Sequence, residues 1–410
     1  MTTKPPGALP SDVARRIAAA RRLARERGVA LYLVGGAVRD LLLRRPVEDI
    51  DLVVEADADA FATRLARALD AELTLHTRFG TAVITLADGK HLDVAMARAE
   101  EYERSGALPR VRPASITEDL LRRDFTVNAM ALEVALAGRP RVIDPSGGRE
   151  DLDRRLIRLL HPRSAFDDAT RAFRAVRYAN RLGFAIERET RRWILAAAAA
   201  GAADTLSGDR LRREVALLFS ESGRAAAVRE MVSLRISRTI HSGLRYDAAV
   251  SRRLRVAERL AAPRDRPTWL LYLLAWMGEV SPADAAEVAT RLNLPRASSR
   301  VVRAWPEAQR RLLRSASKRG DDLASVVDGL DDDSILAAAA TAPPLARRRI
   351  LAATQSPGAR LEIGGRDLVA AGVPAGPAIG RALSATRTAR RKGAIRREDE
   401  LAYALKAARS

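Results

Sequence analysis

The stretch LYLVGGAVRDLLLRRPVEDIDLVVEADA, from Leu31 to Ala58, decides the fold of the first part of the chain. Its opening apolar residues predict a strand that runs into a tight turn at Gly35 and Gly36, followed by a short helix. The alternating, β-branched segment DIDLVVE predicts a second strand. Since residues two apart on a strand project from the same face, Asp49 and Asp51 are expected to point in one direction.

Two carboxylates on one face of a strand can hold divalent cations for a phosphoryl displacement. Mg²⁺ prefers such hard oxygen ligands. The segment TAVITLADGKHLDVAMA predicts a hairpin that brings a third acid, Asp93, onto a nearby strand. The glycine pair lets the backbone approach a triphosphate closely, and Arg39 can supply positive charge. A polar strand end without function is the alternative reading of Asp49 and Asp51.

Beyond this stretch, strands and helices alternate up to about Gly148, and Ala, Leu and Arg at helical spacing dominate afterwards. The segment from Ser11 to Arg27 predicts one helix, with Ser11 or Asp12 as its N-cap and Gly28 at its end. Breaks between later helices are expected at 196–209, 263–267 and near Pro343. These changes predict four parts, which cover residues 1–148, 149–220, 221–342 and 343–410.

Composition restricts the class of protein. Among 410 residues, 47% are hydrophobic and the formal net charge is +20, which favours a polyanionic partner such as nucleic acid. The chain has no cysteine, which excludes disulfides, thiolate metal sites and a cysteine nucleophile. Its four histidines have no metal-ligand spacing. No apolar run reaches the roughly 20 residues of a membrane span, so a cytoplasmic protein is expected.

Several motifs occur in a fixed order. The G-G-x-x-R-D pattern followed by D-x-D resembles the first motif of the DNA polymerase beta superfamily, and more narrowly the class II tRNA nucleotidyltransferases and bacterial poly(A) polymerases. The segments LLRRDFTVNAMAL, IDPSGGREDL and HPRSAFDDATRAFRAVRYANRLGF resemble the motifs that follow in that family, and GGRDLVAAGVPAGPAIG resembles its tail. Apart from the tail, the motifs extend from Leu31 to about Glu214.

The resemblance implies an α+β fold: a small N-terminal nucleotidyltransferase α/β head with a polymerase-beta-like sheet, then an elongated all-helical neck, body and tail. In the family pattern the head (1–148) is catalytic, the neck (149–220) would recognise the nucleotide base, and the body (221–342) and tail (343–410) would bind RNA. It implies addition of C and/or A to the 3′ end of tRNA from CTP or ATP, by two-metal phosphoryl transfer that releases pyrophosphate. Asp49 and Asp51 would bind Mg²⁺, with Asp93 as a third catalytic acid. The nucleotide-binding residues it implies are Gly35, Gly36, Arg39, Arg123, Asp124, Asn128, Asp168, Arg171, Arg174 and Arg177.

Base selection can be argued from chemistry. As surface neighbours three apart on a helix, Asp168 and Arg171 can respectively accept a hydrogen bond from an exocyclic amine and donate one to a ring nitrogen. Cytosine and adenine present this order, whereas uracil and guanine present the reverse. A solvated helix face with one salt bridge is the alternative. Arg123, Asp124 and Asn128, within one and a half helical turns, would contact phosphate and ribose, or else form an ordinary helix N-terminus.

Departures from the family pattern leave the subtype open. Asp167 stands where the family has Glu, and Ser207-Gly208-Asp209-Arg210 replaces S-x-E-R. In the family that this chain resembles, the connection that corresponds to Met96–Phe125 is associated with the switch to A addition. Its full length here tilts the prediction away from CC-only addition and towards A-adding or full CCA-adding members, although CC-only addition stays open. Poly(A) synthesis, a non-catalytic RNA-binding protein on the same scaffold and a small-molecule nucleotidyltransferase are the alternatives.

Overall fold

The structure is a computed structural model that describes residues 9–76, 80–101, 110–134, 140–262, 269–318, 323–354, 361–391 and 393–409. The chain divides into two compact units. The first unit comprises Met1–Arg210, Glu221–Gly223 and Ser233–Thr239. The second comprises Leu211–Ser220, Arg224–Val232 and Ile240–Ser410. The finer division into four parts stays a prediction.

The strands that the structure describes all lie in the first unit. They are β1 Leu31–Val34, β2 Ile50–Val54, β3 Glu72–His76, β4 Thr81–Thr85, β5 His91–Met96, β6 Arg98–Glu101, β7 Arg110–Pro113, β8 Ala131–Glu133, β9 Arg141–Ile143, β10 Leu156–Ile157 and β11 Ala185–Ile186. Seven of them form one sheet in the order β3-β4-β5-β2-β1-β8-β9. Its central strands β2 and β5 pair in parallel. The predicted strands on either side of the glycine turn and the predicted β4–β5 hairpin are confirmed.

The central strand β1 is buried along its whole length, as expected for a strand covered on both faces. On one face a cluster of buried side chains joins the sheet to the helix that follows β7. The cluster comprises Tyr32, Val34, Val53, Ala97, Ile116, Leu120 and Ala131. This packing fixes the strand ends that carry the predicted site.

Helices of the first unit are α1 Ser11–Arg16, α2 Ala18–Arg27, α3 Gly36–Leu42, α4 Ala58–Leu69, α5 Ile116–Leu121, α6 Gly148–Arg154, α7 Ser164–Asp167, α8 Thr170–Leu182 and α9 Arg188–Ala199, with α10 Gly208–Ser220 shared with the second unit. Short 3-10 helices span Thr126–Asn128, Ala202–Thr205 and Ile236–Thr239. The helix predicted from Ser11 to Arg27 is divided at Ile17. Its predicted N-cap is wrong, because Pro10 precedes the helix and no side chain caps it. Gly28 ends α2 in the left-handed conformation, as predicted.

A tight contact joins the 3-10 helix Thr126–Asn128 to α6. Thr126 donates its hydroxyl hydrogen bond to Asp151 at 2.6 Å, and a Cβ placed on Gly148 would lie 2.2 Å from the carbonyl oxygen of Thr126. Backbone atoms therefore approach here at a distance that only glycine permits. The contact anchors the 3-10 helix Thr126–Asn128.

The second unit is helical. Its helices are α11 Arg224–Ser233, α12 Ala248–Ala261, α13 Trp269–Met277, α14 Pro282–Arg291, α15 Arg296–Ser317, α16 Leu323–Asp328, α17 Asp332–Thr341, α18 Pro344–Thr354, α19 Gly365–Ala370, α20 Pro377–Arg391 and α21 Glu400–Arg409, with a 3-10 turn at Arg397–Asp399. Every residue of α13 from Leu270 to Met277 is buried, so this helix forms the core. No helix in the described ranges has the length and apolar character to cross a membrane.

The sheet-containing head with a mostly helical remainder confirms the predicted α+β class. The breaks predicted at 196–209 and near Pro343 are also confirmed, since α9 ends at Ala199 and α17 at Thr341. The break predicted at 263–267 lies outside the described residues.

Candidate functional site

Charged side chains lie close to the backbone of the glycine turn. Gly35 has φ +66° and ψ −130°, a conformation that strains residues with a Cβ. A Cβ there would lie 3.0 Å from Nη1 of Arg123 and 3.6 Å from Oδ2 of Asp51. A side chain at position 35 would therefore displace the guanidinium and crowd the carboxylate. The motif therefore has glycine at the position where the backbone lies next to Arg123 and Asp51.

Three carboxylates interact beside this turn. Asp51 on β2 and Asp93 on β5 are direct partners across the parallel pair, and Asp49 lies one residue before β2 begins. Burial, together with the charges of Asp93 and Asp49 and against the opposing effect of Arg123, raises the pKa of Asp51 to about 6. The surrounding protein partly desolvates Asp93 and, with Asp49, raises its pKa, although His91 and His76 act in the opposite direction. Adding positive charge here would relieve this repulsion.

The carboxylates at this site fit a divalent cation, but they do not surround it completely. In the described part of the chain, no three His, Asp or Glu side chains stand close enough together to enclose a metal ion. Mg²⁺ is commonly held by one or two carboxylates plus substrate phosphates, so an incomplete protein site suits it. The predicted ligands Asp49 and Asp51 therefore remain chemically reasonable, and their role stays a prediction.

A buried acid that the sequence did not single out holds two arginines at the site. Asp119, with an exposed fraction of 0%, accepts hydrogen bonds from Arg122 at 2.5 Å and from Arg123 at 2.9 Å. Burial favours a higher pKa for Asp119, but Arg123 and Arg122 hold it below its ordinary value. A capping box of Ser115 and Glu118 starts α5 and so sets the position of Asp119. The capping pattern S-x-x-E was the available sequence signal.

Asp124 links the segment between α5 and the 3-10 helix Thr126–Asn128 to α8. It accepts two hydrogen bonds from Arg174, at 2.9 and 2.6 Å, and one from the amide of Asn128 at 3.1 Å. Burial opposes ionisation, yet the charge and hydrogen bonds of Arg174, with Asn128, keep the pKa of Asp124 low. Asn128 also accepts from Nη1 of Arg39 at 2.8 Å, so Arg39 is held by protein groups and is only 3% exposed.

One local prediction about these residues is wrong. Arg123, Asp124 and Asn128 do not share one helical stretch, because α5 ends at Leu121 and the 3-10 helix begins only at Thr126. In the non-helical segment between these two helices, Arg123 pairs with Asp119 and Asp124 pairs with Arg174. The side chains still converge, but through tertiary contacts instead of helical spacing.

The base-reading pair also has a different local geometry from the prediction. Asp168 lies before α8, where its Oδ1 accepts from the backbone N–H of Thr170 at 3.0 Å and from Arg210 at 2.8 Å. Arg171 is buried, with 7% exposed, and donates to Ser164 and to the carbonyl of Arg122. The two residues are therefore not a solvated surface pair. Arg210 of the SGDR segment therefore contacts a predicted site residue.

Tyr178 organises the arginines of α8, and sequence reasoning missed it. The guanidinium carbons of Arg39, Arg174 and Arg177 lie 5.4, 5.4 and 5.0 Å from the centre of its ring. Phe125 packs edge-on against the same ring at 5.6 Å. Cation–π attraction at these distances helps to hold the guanidinium groups in place. An aromatic residue inside an arginine-rich helix was the signal.

These groups line one cavity of about 370 Å³. Its lining residues are Gly35, Gly36, Asp51, Glu100, Arg122, Arg123, Asp124, Asn128, Asp168, Arg171, Arg174 and Tyr178. Nine of them were predicted nucleotide or catalytic residues. The predicted residues outside this lining are Asp49, Asp93, Arg39 and Arg177. A polar cavity with carboxylates at one strand and guanidinium groups around it can bind a phosphorylated ligand and a cation together.

The chain is similar to several known proteins. Residues 31–158 match the family model described as the poly A polymerase head domain. Over 93% of its length the chain is 35% identical to an A-adding tRNA nucleotidyltransferase of Geobacter sulfurreducens, but the match spans only 45% of that protein. It is 33% identical to a CC-adding tRNA nucleotidyltransferase of Deinococcus radiodurans, over 92% of this chain and 89% of that one. A solved CCA-adding enzyme in an apo form is similar, with a TM-score of 0.77, 28% identity and coverage of 97% and 96% of the two chains.

Proposed function

Because the chain belongs to the tRNA nucleotidyltransferase family, we propose that it adds C and/or A to the 3′ end of tRNA from CTP or ATP without a template. The observation that carries the proposal is the cavity that joins the two predicted halves of the site. Asp51, from the strand of predicted metal ligands, lines it together with Asp168 and Arg171, the predicted base readers. A nucleotide bound there would have its base and its phosphates in reach of the side chains that each requires.

Charge balance supports a metal-dependent reaction. The lining contains four acids, Asp51, Glu100, Asp124 and Asp168, and four arginines, so its formal charge is 4 − 4 = 0. A neutral cavity offers little net attraction to a triphosphate, whereas cations on Asp49 and Asp51 would make it positive. Nucleotidyltransferases of this kind generally use a divalent metal, and we propose Mg²⁺, with Asp93 as a third acid. When bound, the metal would neutralise charge on the reacting phosphoryl group.

The protein side chains have separate roles in this proposal. Gly35 and Gly36 let the backbone approach the phosphates, and Arg123 would pair with one of them. Asp124 and Asn128 would orient the ribose, held in place by Arg174. Arg39 and Arg177 would act indirectly. Arg39 would hold Asn128 in place, and Arg177 would contact the ring of Tyr178. Positioning and charge stabilisation of this kind account for most catalysis of phosphoryl transfer.

Base choice would fall to Asp168 and Arg171. Cytosine and adenine can donate an amine hydrogen bond to the carboxylate and accept one from the guanidinium. Uracil or guanine would leave about two buried polar groups unpaired, at roughly 1–3 kcal/mol each. The buried position of Arg171 increases this penalty, since water cannot easily replace a lost partner.

The number and identity of the added residues stay a prediction. The sequence favours an A-adding or full CCA-adding enzyme on the strength of the connection from Met96 to Phe125. Residues 102–109 of that connection lie outside the described residues. The tRNA substrate favours a cytoplasmic site of action.

One assay tests the proposal and the subtype. Purified protein with Mg²⁺ is offered tRNAs that end before CCA, after its first C and after CC, with each of the four NTPs in turn, and the products are sized. Extension of only the CC-ended tRNA, by one A, indicates an A-adding enzyme. Extension of all three, with C before A, indicates a CCA-adding enzyme. Long A tracts would indicate the poly(A) polymerase alternative.

A matched pair of variants separates catalysis from folding. Asp51→Ala should abolish incorporation, whereas Asp88→Ala, at an exposed acid in the β4–β5 turn, should leave it unchanged. Absence of any incorporation by the unaltered protein, with RNA still bound, would support the non-catalytic RNA-binding alternative. Full incorporation by the Asp51→Ala protein would remove this aspartate from the reaction.

A further inference from the structure

The two candidate metal ligands are not held equally by the fold. Asp51 lies within β2, where it pairs with Asp93 of the parallel strand β5. Asp49 lies just before β2 begins and is exposed. In the described part of the chain, no residue forms a hydrogen bond or an ion pair with the carboxylate of Asp49. The place of Asp49 therefore depends on the segment that precedes it.

That segment, residues 43–48, connects α3 to β2. Arg44 lies in it with φ +55°, in the left-handed region that favours glycine, so the turn after α3 costs conformational free energy. Among the described residues, no backbone hydrogen bond reaches Val47 or Glu48. The part of the connection next to Asp49 therefore needs side chains to hold it.

A side chain of α1 supplies these hydrogen bonds. Arg16 donates from Nη1 to the carbonyl of Val47 at 3.1 Å and from Nη2 to the carbonyl of Glu48 at 2.8 Å. One planar guanidinium thus binds two consecutive carbonyl groups. The carbonyl of Glu48 belongs to the peptide group that joins it to Asp49, so this bond restrains the backbone directly before the carboxylate.

Arg16 is itself well anchored. On either side of it, Val13 and Ile17 have exposed fractions of 1% and 0%, which fixes the end of α1 against the core. The Nε atom of Arg16 is buried without a hydrogen-bond partner among the described residues. Partial burial of a guanidinium costs free energy that an apolar side chain would avoid. The two carbonyl contacts therefore have a benefit beyond the packing of α1.

We infer that Arg16 is a positioning residue for the metal site. It restrains the peptide group before Asp49 and so keeps that carboxylate beside Asp51. A cation then binds two carboxylates that are already in place, without having to order the connection first. Arg16 is not among the residues that line the nucleotide cavity, so it acts through the backbone. The inference rests on the proposed function, in which Asp49 and Asp51 bind Mg²⁺.

Mg²⁺ binding without nucleotide or RNA tests this role. Urea unfolding is measured at increasing Mg²⁺ concentration, and the Kd for Mg²⁺ is calculated from the rise in the free energy of unfolding. Arg16→Ala should raise this Kd about tenfold, as expected for a group that orients a metal ligand. Nucleotide incorporation should need correspondingly more Mg²⁺, whereas kcat at saturating Mg²⁺ should change less.

Two further variants separate this role from folding and from charge. Arg15→Ala removes the same charge from the same helix, at an exposed side chain that has no hydrogen bond or ion pair with the residues described. It should keep the Kd of the unaltered protein. Arg16→Lys keeps the charge but has no planar pair of donors for both carbonyls, so it should restore the Kd only in part.

A double-mutant cycle shows whether Arg16 acts through Asp49. In an Asp49→Asn background, Arg16→Ala should not raise the Kd further, because the ligand that it positions is already lost. A full further rise in that background would overturn the inference. So would a normal Kd in Arg16→Ala, an equal rise in Arg15→Ala, or an unaltered protein that Mg²⁺ does not stabilise. Since no NTP is present, these results stay decisive if the proposed nucleotidyl transfer fails.

Discussion

Asp51 and Asp93 lie directly opposite each other on the parallel strands β2 and β5, although 42 positions separate their numbers. Two carboxylates at this spacing repel each other, and Asp49 adds a third charge nearby. Burial and this repulsion together raise the pKa of Asp51 to about 6. This repulsion therefore destabilises the folded protein, and a bound cation would reduce it.

Metal-free protein should become more stable when Asp51 is changed to Asn. A folded-state pKa near 6, above the ordinary 3.8, means that the folded state binds the proton more tightly than the unfolded state does. The destabilisation is therefore full above about pH 6 and disappears as the pH falls towards 4. In EDTA at pH 8, Asp51→Asn should raise the free energy of unfolding by roughly 1–3 kcal/mol, and by less at pH 5. Urea denaturation at pH 8 and at pH 5 measures the change in the free energy of unfolding at each pH.

Asp88→Asn is the control for this experiment. Asp88 is exposed in the β4–β5 turn, and the hydrogen bond from the backbone of Lys90 lowers its pKa. Its substitution should give no stabilisation at pH 8. Mg²⁺ should stabilise the unaltered protein more than the Asp51→Asn variant. A gain from Asp51→Asn that is the same at pH 5 and pH 8 would contradict the carboxylate repulsion.

Arg171→Ala should weaken base selection. The guanidinium of Arg171 is buried beside the cavity, so its removal takes away the donor proposed to recognise the ring nitrogen. Preference for ATP and CTP over GTP and UTP, measured as ratios of kcat/KM, should fall roughly 10- to 100-fold. Arg181→Ala, at an exposed position in the last turn of the same helix, should leave the ratios unaltered. If both variants kept full selectivity, Arg171 would have no base-reading role.

Tyr178→Leu should raise KM for the nucleotide more than it changes kcat. The ring lies within cation–π distance of three guanidinium groups, and each such contact is worth about 0.5–2 kcal/mol. Loss of the ring should let Arg174 move away from Asp124 and raise KM about 3- to 30-fold. Tyr178→Phe keeps the ring and should retain a near-normal KM. Equal defects in both variants would assign the effect to the hydroxyl group.

Gly148→Ala should destabilise the first unit and reduce activity. The new Cβ would lie 2.2 Å from the carbonyl oxygen of Thr126, so the 3-10 helix that carries Asn128 must shift. Overpacking of this kind costs about 1–3 kcal/mol. Thermal unfolding and nucleotide incorporation measure the two effects. Gly380→Ala is the control, because a Cβ at Gly380 would have open space around it. A Gly148→Ala protein as stable as this control would show that the backbone contact is adjustable.

The sequence by itself determined the glycine turn, the two flanking strands, the β4–β5 hairpin and the change to helices after Gly148, because strand alternation and helical spacing are local patterns. Motif order also identified nine of the residues that line the cavity. Only the tertiary structure decided the state of the charged side chains. Asp168 and Arg171 were predicted as surface neighbours on one helix, but Asp168 lies before α8 and the guanidinium of Arg171 is buried, since each has partners that come from elsewhere in the chain.

Asp119, Tyr178 and Arg210 illustrate the reason. Local patterns mark their positions, namely the capping box before Asp119, the arginine-rich helix around Tyr178 and the SGDR segment of Arg210, but these patterns do not show which groups the side chains contact. They acquire their roles from groups supplied by other segments: Arg39 at the ring of Tyr178, and Asp168 for Arg210. The pKa of Asp119 likewise depends on burial and on which guanidinium groups the folded chain brings to it. Local periodicity can be read along the chain, but electrostatic interactions are set by distances that only folding establishes.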